Sequence, residues 1–404
     1  MSEKITQDLK ATGVAQVIVY LKKGTDKSAA SVRTNIEDHF TKSEYSIASS
    51  VAAESKSLKQ SNVPKMRYYP NLGIALGTVS RDGLAALRAD KTNVEQVSGA
   101  PQLRMIRPRE VVAASMTQTN TWGIEKLGVK DLWAQGLSGK NVIVGHLDTG
   151  VDGDHPALKN ALFDFTEFDE IGREIAPKPK AHDSGEHGTH TAATIAGRAV
   201  GGKSVGVAPG SQLASALVIE GGDSVARVVG GLDWAIGKGI RILSMSLGFQ
   251  GWWSDFIPIF KILRARGILP VVAVGNEFAG STRSPGNYAQ SLSVGAYTEQ
   301  MQVADFSSSQ LFKRKKKPLV PDLVGPGDNI ISAKPGGGFQ SMSGTSMATP
   351  HIAGLAALLW EAKPNATVSQ IENAIFGSCQ LPATMAQMRA NRGFPNAAKA
   401  LSLL

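Results

Sequence analysis

Residues 141–148 read NVIVGHLD, a short apolar run that ends abruptly in a carboxylate. The run is too short for a helix, and its apolar character is continuous rather than alternating. Such a segment is a strand covered on both faces, which points to a parallel sheet clothed by helices. The chain beyond it keeps that rhythm, through HGTHTAATIAG, SQLASALVI, SVARVVGGLDWAIGKG, IRILSMSLG, IPIFKILRARG, ILPVVAVGN and SLSVGAY. Short apolar strands alternating with helices of 10–15 residues predict an α/β fold. In such sheets chemistry gathers outside the carboxyl ends of the strands.

Ahead of this region the pattern differs. AQVIVYL reads as a strand, KSAASVRTNIEDHF as a helix, and MRYYPNLGIALGTVS as one or two strands with a turn at Pro-Asn. RDGLAALRAD is a short helix and VEQVSGAPQLRMIRP a closing strand. That order predicts a small α+β, ferredoxin-like domain over 1–105. Residues 42–62 read as a further helix or a loop. Residues 106–121, IRPREVVAASMTQTNT, lack periodicity and mark the seam. The division expected is 1–105, a linker over 106–116, and a larger domain over 117–404.

The composition of the 404 residues, 42% hydrophobic and 19% charged, describes a globular chain with a large core. Net charge is +9, spread as 17 basic against 11 acidic residues up to residue 116 and 26 against 23 beyond it. Neither part has the concentrated basic face of a nucleic-acid binder. A single cysteine, Cys379, excludes an intramolecular disulfide. No run reaches the roughly 18 apolar residues of a membrane span. The first residues carry no signal-peptide pattern, so the expectation is a monomer in the cytoplasm, with leaderless secretion as the alternative.

Four residues stand at the ends of strands or the starts of helices. Asp148 ends NVIVGHLD, His187 opens HGTHTAATIAG, Asn276 ends ILPVVAVGN, and Ser346 opens the apolar helix of GTSMATPHIAG. Singly, each has a bland reading: a turn carboxylate, a structural histidine, a turn amide, a helix cap. Together they fill every role of acyl transfer, because a serine needs a base, the base an orienting acid, and the oxyanion its donors. The order Asp, His, Ser and the missing second glycine of G-x-S-x-G argue against an α/β-hydrolase esterase.

DTGVDGDHPAL, HGTHTAATIAG, SMSLG, VVAVGNE and GTSMATPHIAG resemble the sequence blocks of the subtilisin-like serine peptidases, in order over about 117–404. The resemblance implies a three-layer fold with a mainly parallel sheet. It also implies a serine endopeptidase in which Asp148 orients His187, His187 is the base, Ser346 attacks, and Asn276 with the Ser346 N–H holds the oxyanion. The N-terminal part resembles the family's inhibitory propeptide, the alternative being an unrelated interaction domain. The partners implied are protein or peptide substrates and the chain's own propeptide, with no nucleic acid and no membrane. A substrate strand would pair with Ser246, Leu247 and Gly248 and with Gly221 and Gly222, and Gly275 leaves room for the first pocket.

The resemblance also implies departures. No cofactor is required, and the family's strong calcium site looks absent, since its acidic and amide positions hold Ala157 and Val200. Arg283 falls near the base of the first pocket, where it selects acids or turns to solvent. FKRKKKP at 312–318 reads as a solvated loop or a contact for an anionic partner, and Trp252-Trp253 as a binding surface or as core. Family spacing puts a self-cleavage after Met116, with Ala113, Ala114 and Ser115 in the upstream pockets, or after Glu110 if Arg283 selects acids. Two other classes stay open: an inactive binding protein on this fold, and a peptidase under a standing N-terminal regulator.

Overall fold

The structure is a computed structural model that describes residues 3–22, 28–41, 65–101, 103–169, 171–220 and 224–404. The expected element at 42–62 and the substrate positions Gly221 and Gly222 lie outside the described residues.

Seven parallel strands form the central sheet. Their spatial order is Leu323–Pro326, Leu292–Tyr297, Leu269–Ala273, Ile242–Met245, Ile143–Asp148, Gln212–Leu217 and Leu162–Glu167. The period of two along each strand sends its side chains to opposite faces. On one face Val144, Leu213, Leu217, Ile242 and Val271 pack with the helices His187–Ala196 and Thr345–Ala362. On the other, Leu147, Ala216, Leu243 and Val272 pack with Ser224–Gly237 and Ile257–Ala265. Helix, sheet and helix give the three-layer α/β arrangement, and Asp148 emerges on the face of the histidine helix.

The N-terminal residues fold into a four-stranded antiparallel sheet in the order Met66–Tyr69, Ile74–Ser80, Val14–Leu21, Val94–Gly99. Helices Ala29–Ile36 and Arg81–Ala89 match the sequence reading, whereas helix Glu3–Thr12 was not anticipated. The expected closing strand is broken in two, because Arg104–Met105 leaves this sheet to pair elsewhere. VAQVIVYL splits its side chains between two cores. Val17, Val19 and Leu21 face the local helices, while Ile18 and Tyr20 face Ser224–Gly237 and Ile257–Ala265. Polar groups complete the junction. Asp255 accepts from the Gly99 N–H at 2.8 Å, and Asp233 accepts from the Leu72 N–H at 2.8 Å.

Two surface readings are corrected. The run 312–318 is not simply solvated: the Lys317 ammonium is buried against Asp322 (3.1 Å), Glu372 (2.8 Å) and the Ser291 carbonyl (2.8 Å). Arg314 stacks on Trp252 and Phe312. The tryptophan pair divides, with Trp253 against the core and Trp252 half in solvent. No helix among the described residues is long and apolar enough to cross a membrane.

Candidate active site

Asp148 ends the strand next to the middle one of the sheet, and the helix from His187 begins beside it. The close approach depends on Gly188, where a Cβ would sit 2.0 Å from the Gly150 carbonyl oxygen. His187 Nδ1 lies 2.6 Å from Asp148 Oδ1, which also accepts from the Thr149 N–H at 2.8 Å. Both side chains are buried. Burial pushes the Asp148 carboxyl up, but the neighbouring imidazole and its hydrogen bond outweigh this and hold it below the usual value. Burial pushes His187 down, yet the Asp148 charge and hydrogen bond, with Asp183 behind them, raise it above the ordinary histidine value.

Asp183 escaped the sequence reading. Its Oδ1 accepts from the Thr149 hydroxyl (2.7 Å) and the Gly185 N–H (3.0 Å). Its Oδ2 accepts from the Thr189 N–H and hydroxyl, both at 2.6 Å. It therefore ties the end of the Asp148 strand to the first turn of the histidine helix. The signal was present in DSGEHGT, an acid shortly before a helix start.

Ser346 is the second residue of its helix, buried at the sheet's edge. Pro350 lies four residues on and has no N–H, so the Ser346 carbonyl lacks its intrahelical donor. The Ser246 hydroxyl supplies one at 3.1 Å. Asn276 is oriented by Thr345, whose N–H and hydroxyl both donate to Asn276 Oδ1 at 2.9 Å. The amide Nδ2 is thereby turned into the cleft. The sequence reading passed over Thr345 in this role.

The chain's own residues 103–109 cross this cleft. Arg104–Met105 pairs antiparallel with Leu247–Gly248, and the Ile106 N–H donates to the Ser246 carbonyl at 3.1 Å. Leu103 and Ile106 are buried, while the Arg107 side chain is exposed. The Ser346 hydroxyl donates to the Ile106 carbonyl at 2.8 Å, whereas Asn276 Nδ2 donates to the next carbonyl, Arg107, at 2.9 Å. His187 Nε2 is buried and has no hydrogen-bond partner among the described residues. After Pro108 the Arg109 N–H bonds to the Ser343 carbonyl (2.7 Å), and Glu110–Ala114 pairs antiparallel with Phe339–Ser343.

This register differs from the expected one. Ala113 and Ala114 lie opposite Gln340 and Phe339, on the far side of Ser346 from Arg104–Met105, and do not fill upstream pockets. Glu110 is paired opposite Ser343. Met116 is buried in the large core with its carbonyl held by the Lys203 ammonium. The end of the N-terminal part and the head of the seam, residues 103–109, occupy the cleft, and the rest of the seam runs on from Ser346.

Ser246, Leu247 and Gly248 thus meet a strand of the chain itself, and Gly275 adopts φ +119°. Arg283 reaches this pocket but is not free to select an acid. Its guanidinium is paired with Glu277 Oε1 (2.8 and 2.6 Å), and Glu277 Oε2 accepts from the Asn276 N–H at 3.0 Å.

The implied calcium site does not fit these residues. Ala157 and Val200 offer only hydrocarbon side chains, and the Ala157 carbonyl accepts from the Arg198 N–H at 2.7 Å. The Arg198 guanidinium donates to the carbonyls of Ala196 (2.5 Å), Asn160 (3.0 Å) and Ser211 (3.0 Å). No cluster of three or more His, Cys, Asp or Glu suited to a metal occurs among the described residues.

The model of the subtilase family matches residues 139–395. The M-protease of Shouchella clausii is 35% identical over 262 residues, 64% of this chain and 64% of that protein. The major intracellular serine protease of Bacillus subtilis is 33% identical over 67% of this chain and 86% of its own length. Subtilisin E of Bacillus subtilis is 32% identical over 72% of this chain and 74% of its own. The matched region spans about 64% of the length of the M-protease and of the alkaline proteases that resemble it. With more than half of its residues matched by the family model, the chain belongs to the subtilase family.

Proposed function

We propose that the chain is a serine endopeptidase held in check by its own N-terminal part. The observation that carries this reading is the segment 103–107, laid as a strand against Leu247–Gly248 with its carbonyls on Ser346 and Asn276. A peptide substrate in its place would put one carbonyl between the two. Ser346 Oγ attacks that carbon and its proton passes to His187 Nε2, while Asp148 stabilises the imidazolium. Asn276 Nδ2 and the Ser346 N–H receive the oxyanion. His187 then returns the proton to the leaving amine, and water repeats the sequence on the acyl-enzyme.

The bound segment supports inhibition rather than turnover. Acyl transfer needs the serine and the oxyanion donor on one carbonyl, whereas here they serve two neighbouring ones. Residues 1–105, continued by Ile106 and Arg107 at the head of the linker 106–116, then act as the inhibitor, and 117–404 as the enzyme. Self-cleavage after Glu110 or Met116 requires the Glu110–Ala114 strand to leave Phe339–Ser343 first. No cofactor is needed, and the chain acts on proteins or peptides as a monomer.

The test is hydrolysis of denatured casein by purified full-length protein, with labelling of Ser346 by a fluorophosphonate. Activity is expected to appear with a lag. Ser346→Ala is expected to be inactive and to keep its full-length mass, a loss of about 10⁶ in kcat by the known behaviour of subtilisin's own serine. Asn276→Ala is expected to keep the fold and lose roughly 10²–10³. A Ser346 that stays unlabelled while the N-terminal part is gone would return the chain to the class of inactive binding proteins.

A further inference from the structure

The strand that delivers Asp148 carries a second histidine two residues earlier. His146 projects to the same face of the sheet and is buried, as are Ser215 and Thr191. It lies directly opposite Ser215 in the neighbouring strand. Its Nδ1 is 2.9 Å from the Ser215 hydroxyl, and its Nε2 is 2.9 Å from the Thr191 hydroxyl. Thr191 Oγ1 in turn stands 3.4 Å from Asp148 Oδ2, the carboxylate oxygen that His187 does not use. His146 Nε2 itself is 4.0 Å from that oxygen.

The proton arrangement follows from charge. With the proton on Nδ1, the Nε2 lone pair would face the Asp148 carboxylate, and Thr191 would spend its one proton on the imidazole. With the proton on Nε2, the N–H dipole points toward the carboxylate and the threonine proton is released. Ser215 then donates to Nδ1, Nε2–H donates to Thr191, and Thr191 donates to Asp148 Oδ2 or to the helix carbonyls of His187 (3.1 Å) and Gly188 (3.1 Å). Burial keeps the ring neutral against the pull of Asp148 and Asp183, so it acts through dipoles.

We propose that His146 is a positioning residue of the active site, which with Ser215 and Thr191 forms a directed hydrogen-bond chain that fixes the orientation of Asp148. The proposal rests on the peptidase reading above. Asp148 Oδ1 is held by His187 and Thr149, and among the described residues Oδ2 is approached by this chain, by Thr191 at 3.4 Å and His146 at 4.0 Å. Without it the imidazole loses the fixed orientation that the proposed proton transfer from Ser346 requires, which lowers turnover and leaves substrate binding alone.

The test measures kcat and KM of the full-length chain after the lag has run out, with unfolding midpoints alongside. His146→Leu is expected to lose roughly ten- to a hundredfold in kcat with KM within about twofold. His146→Gln, whose amide can still donate to Thr191, is expected to recover most of that loss. Thr191→Val is expected to match His146→Leu, and the double variant to be no worse than either, because both cut one chain. Unchanged kcat in His146→Leu, a Gln variant as poor as the Leu one, or losses that multiply would overturn the proposal. If His146→Leu does not fold, Thr191→Val against His146→Gln decides in the same way. Fluorophosphonate labelling of Ser346 in the parent separates failure of this inference from failure of the peptidase reading.

Discussion

Asp183 engages both of its carboxylate oxygens at the start of the histidine helix, and its charge adds to that of Asp148 on His187. On the peptidase reading, a raised imidazole pKa sets the lower limit of activity, since only the neutral ring would accept the Ser346 proton. The acid limb of kcat/KM is therefore expected above about 6.5, the ordinary histidine value. Asp183→Asn removes one of the two charges and is expected to move that limb to lower pH. A limb that stays put in this variant would confine Asp183 to holding the loop. A second residue-scale consequence concerns Arg283. Its pairing with Glu277 neutralises the pocket, and the buried Ile106 marks the cleft as suited to an aliphatic residue. Peptide-library profiling of the parent is expected to show no preference for Glu or Asp before the cleaved bond. Glu277→Gln, which frees the guanidinium, is expected to create one. An acid preference already present in the parent would show that the pair opens on binding.

At the scale of elements, the inhibition proposed above rests on a two-residue strand and two buried side chains. Backbone pairing with Leu247–Gly248 is tolerant of sequence, so specificity for this segment comes from Leu103 and Ile106. Burying one such aliphatic side chain contributes about 1.5–3 kcal/mol. Ile106→Asp is expected to forfeit that and to add the cost of burying a charge. Inhibition should weaken by roughly 10–100-fold or more, and the lag before casein hydrolysis should shorten accordingly. A lag of unchanged length would mean that the docking of the N-terminal sheet alone sustains inhibition. That docking is extensive, since Ile18, Tyr20, Ile74 and Leu76 share a core with two helices of the larger part. Asp233 and Asp255 add hydrogen bonds to its backbone.

For the whole molecule, arginine and lysine side chains hold positions between elements. Arg198 gathers three carbonyls from the end of the histidine helix, the 154–161 loop and the approach to strand Gln212–Leu217. A hydrogen bond from a charged donor is worth about 1.5–3 kcal/mol. Arg198→Ala is expected to cost about 2–3 kcal/mol by that measure and to lower the unfolding midpoint, while EDTA leaves the midpoint of the parent unchanged. Thermal unfolding of both proteins with and without chelator checks this. A fall in the parent's midpoint in chelator would locate a metal that these residues do not suggest.

Asp148, His187, Asn276 and Ser346 were legible because each sits inside a local signal, a strand end or a helix start, whose fold-level meaning is general. The parallel sheet was legible for the same reason: continuous apolar runs between helices allow few other architectures. What lay between elements was not. Nothing in PQLRMIRPREV states which of its carbonyls meets Asn276, because that register is set by pairing with residues about 140 positions away. Arg283 read as a selective charge or a solvent-facing one until folding brought Glu277 against it, and Lys317 as part of a solvated loop or an anion contact until Asp322 and Glu372 closed around it. His146 passed as one more residue of a buried strand, since its partners come from a neighbouring strand and a helix. Propensity and motif act over a few residues, and so the sequence by itself determined most of the elements and singled out the four candidate groups. Charge pairing and strand register join residues far apart in the chain, and only the tertiary structure decided them.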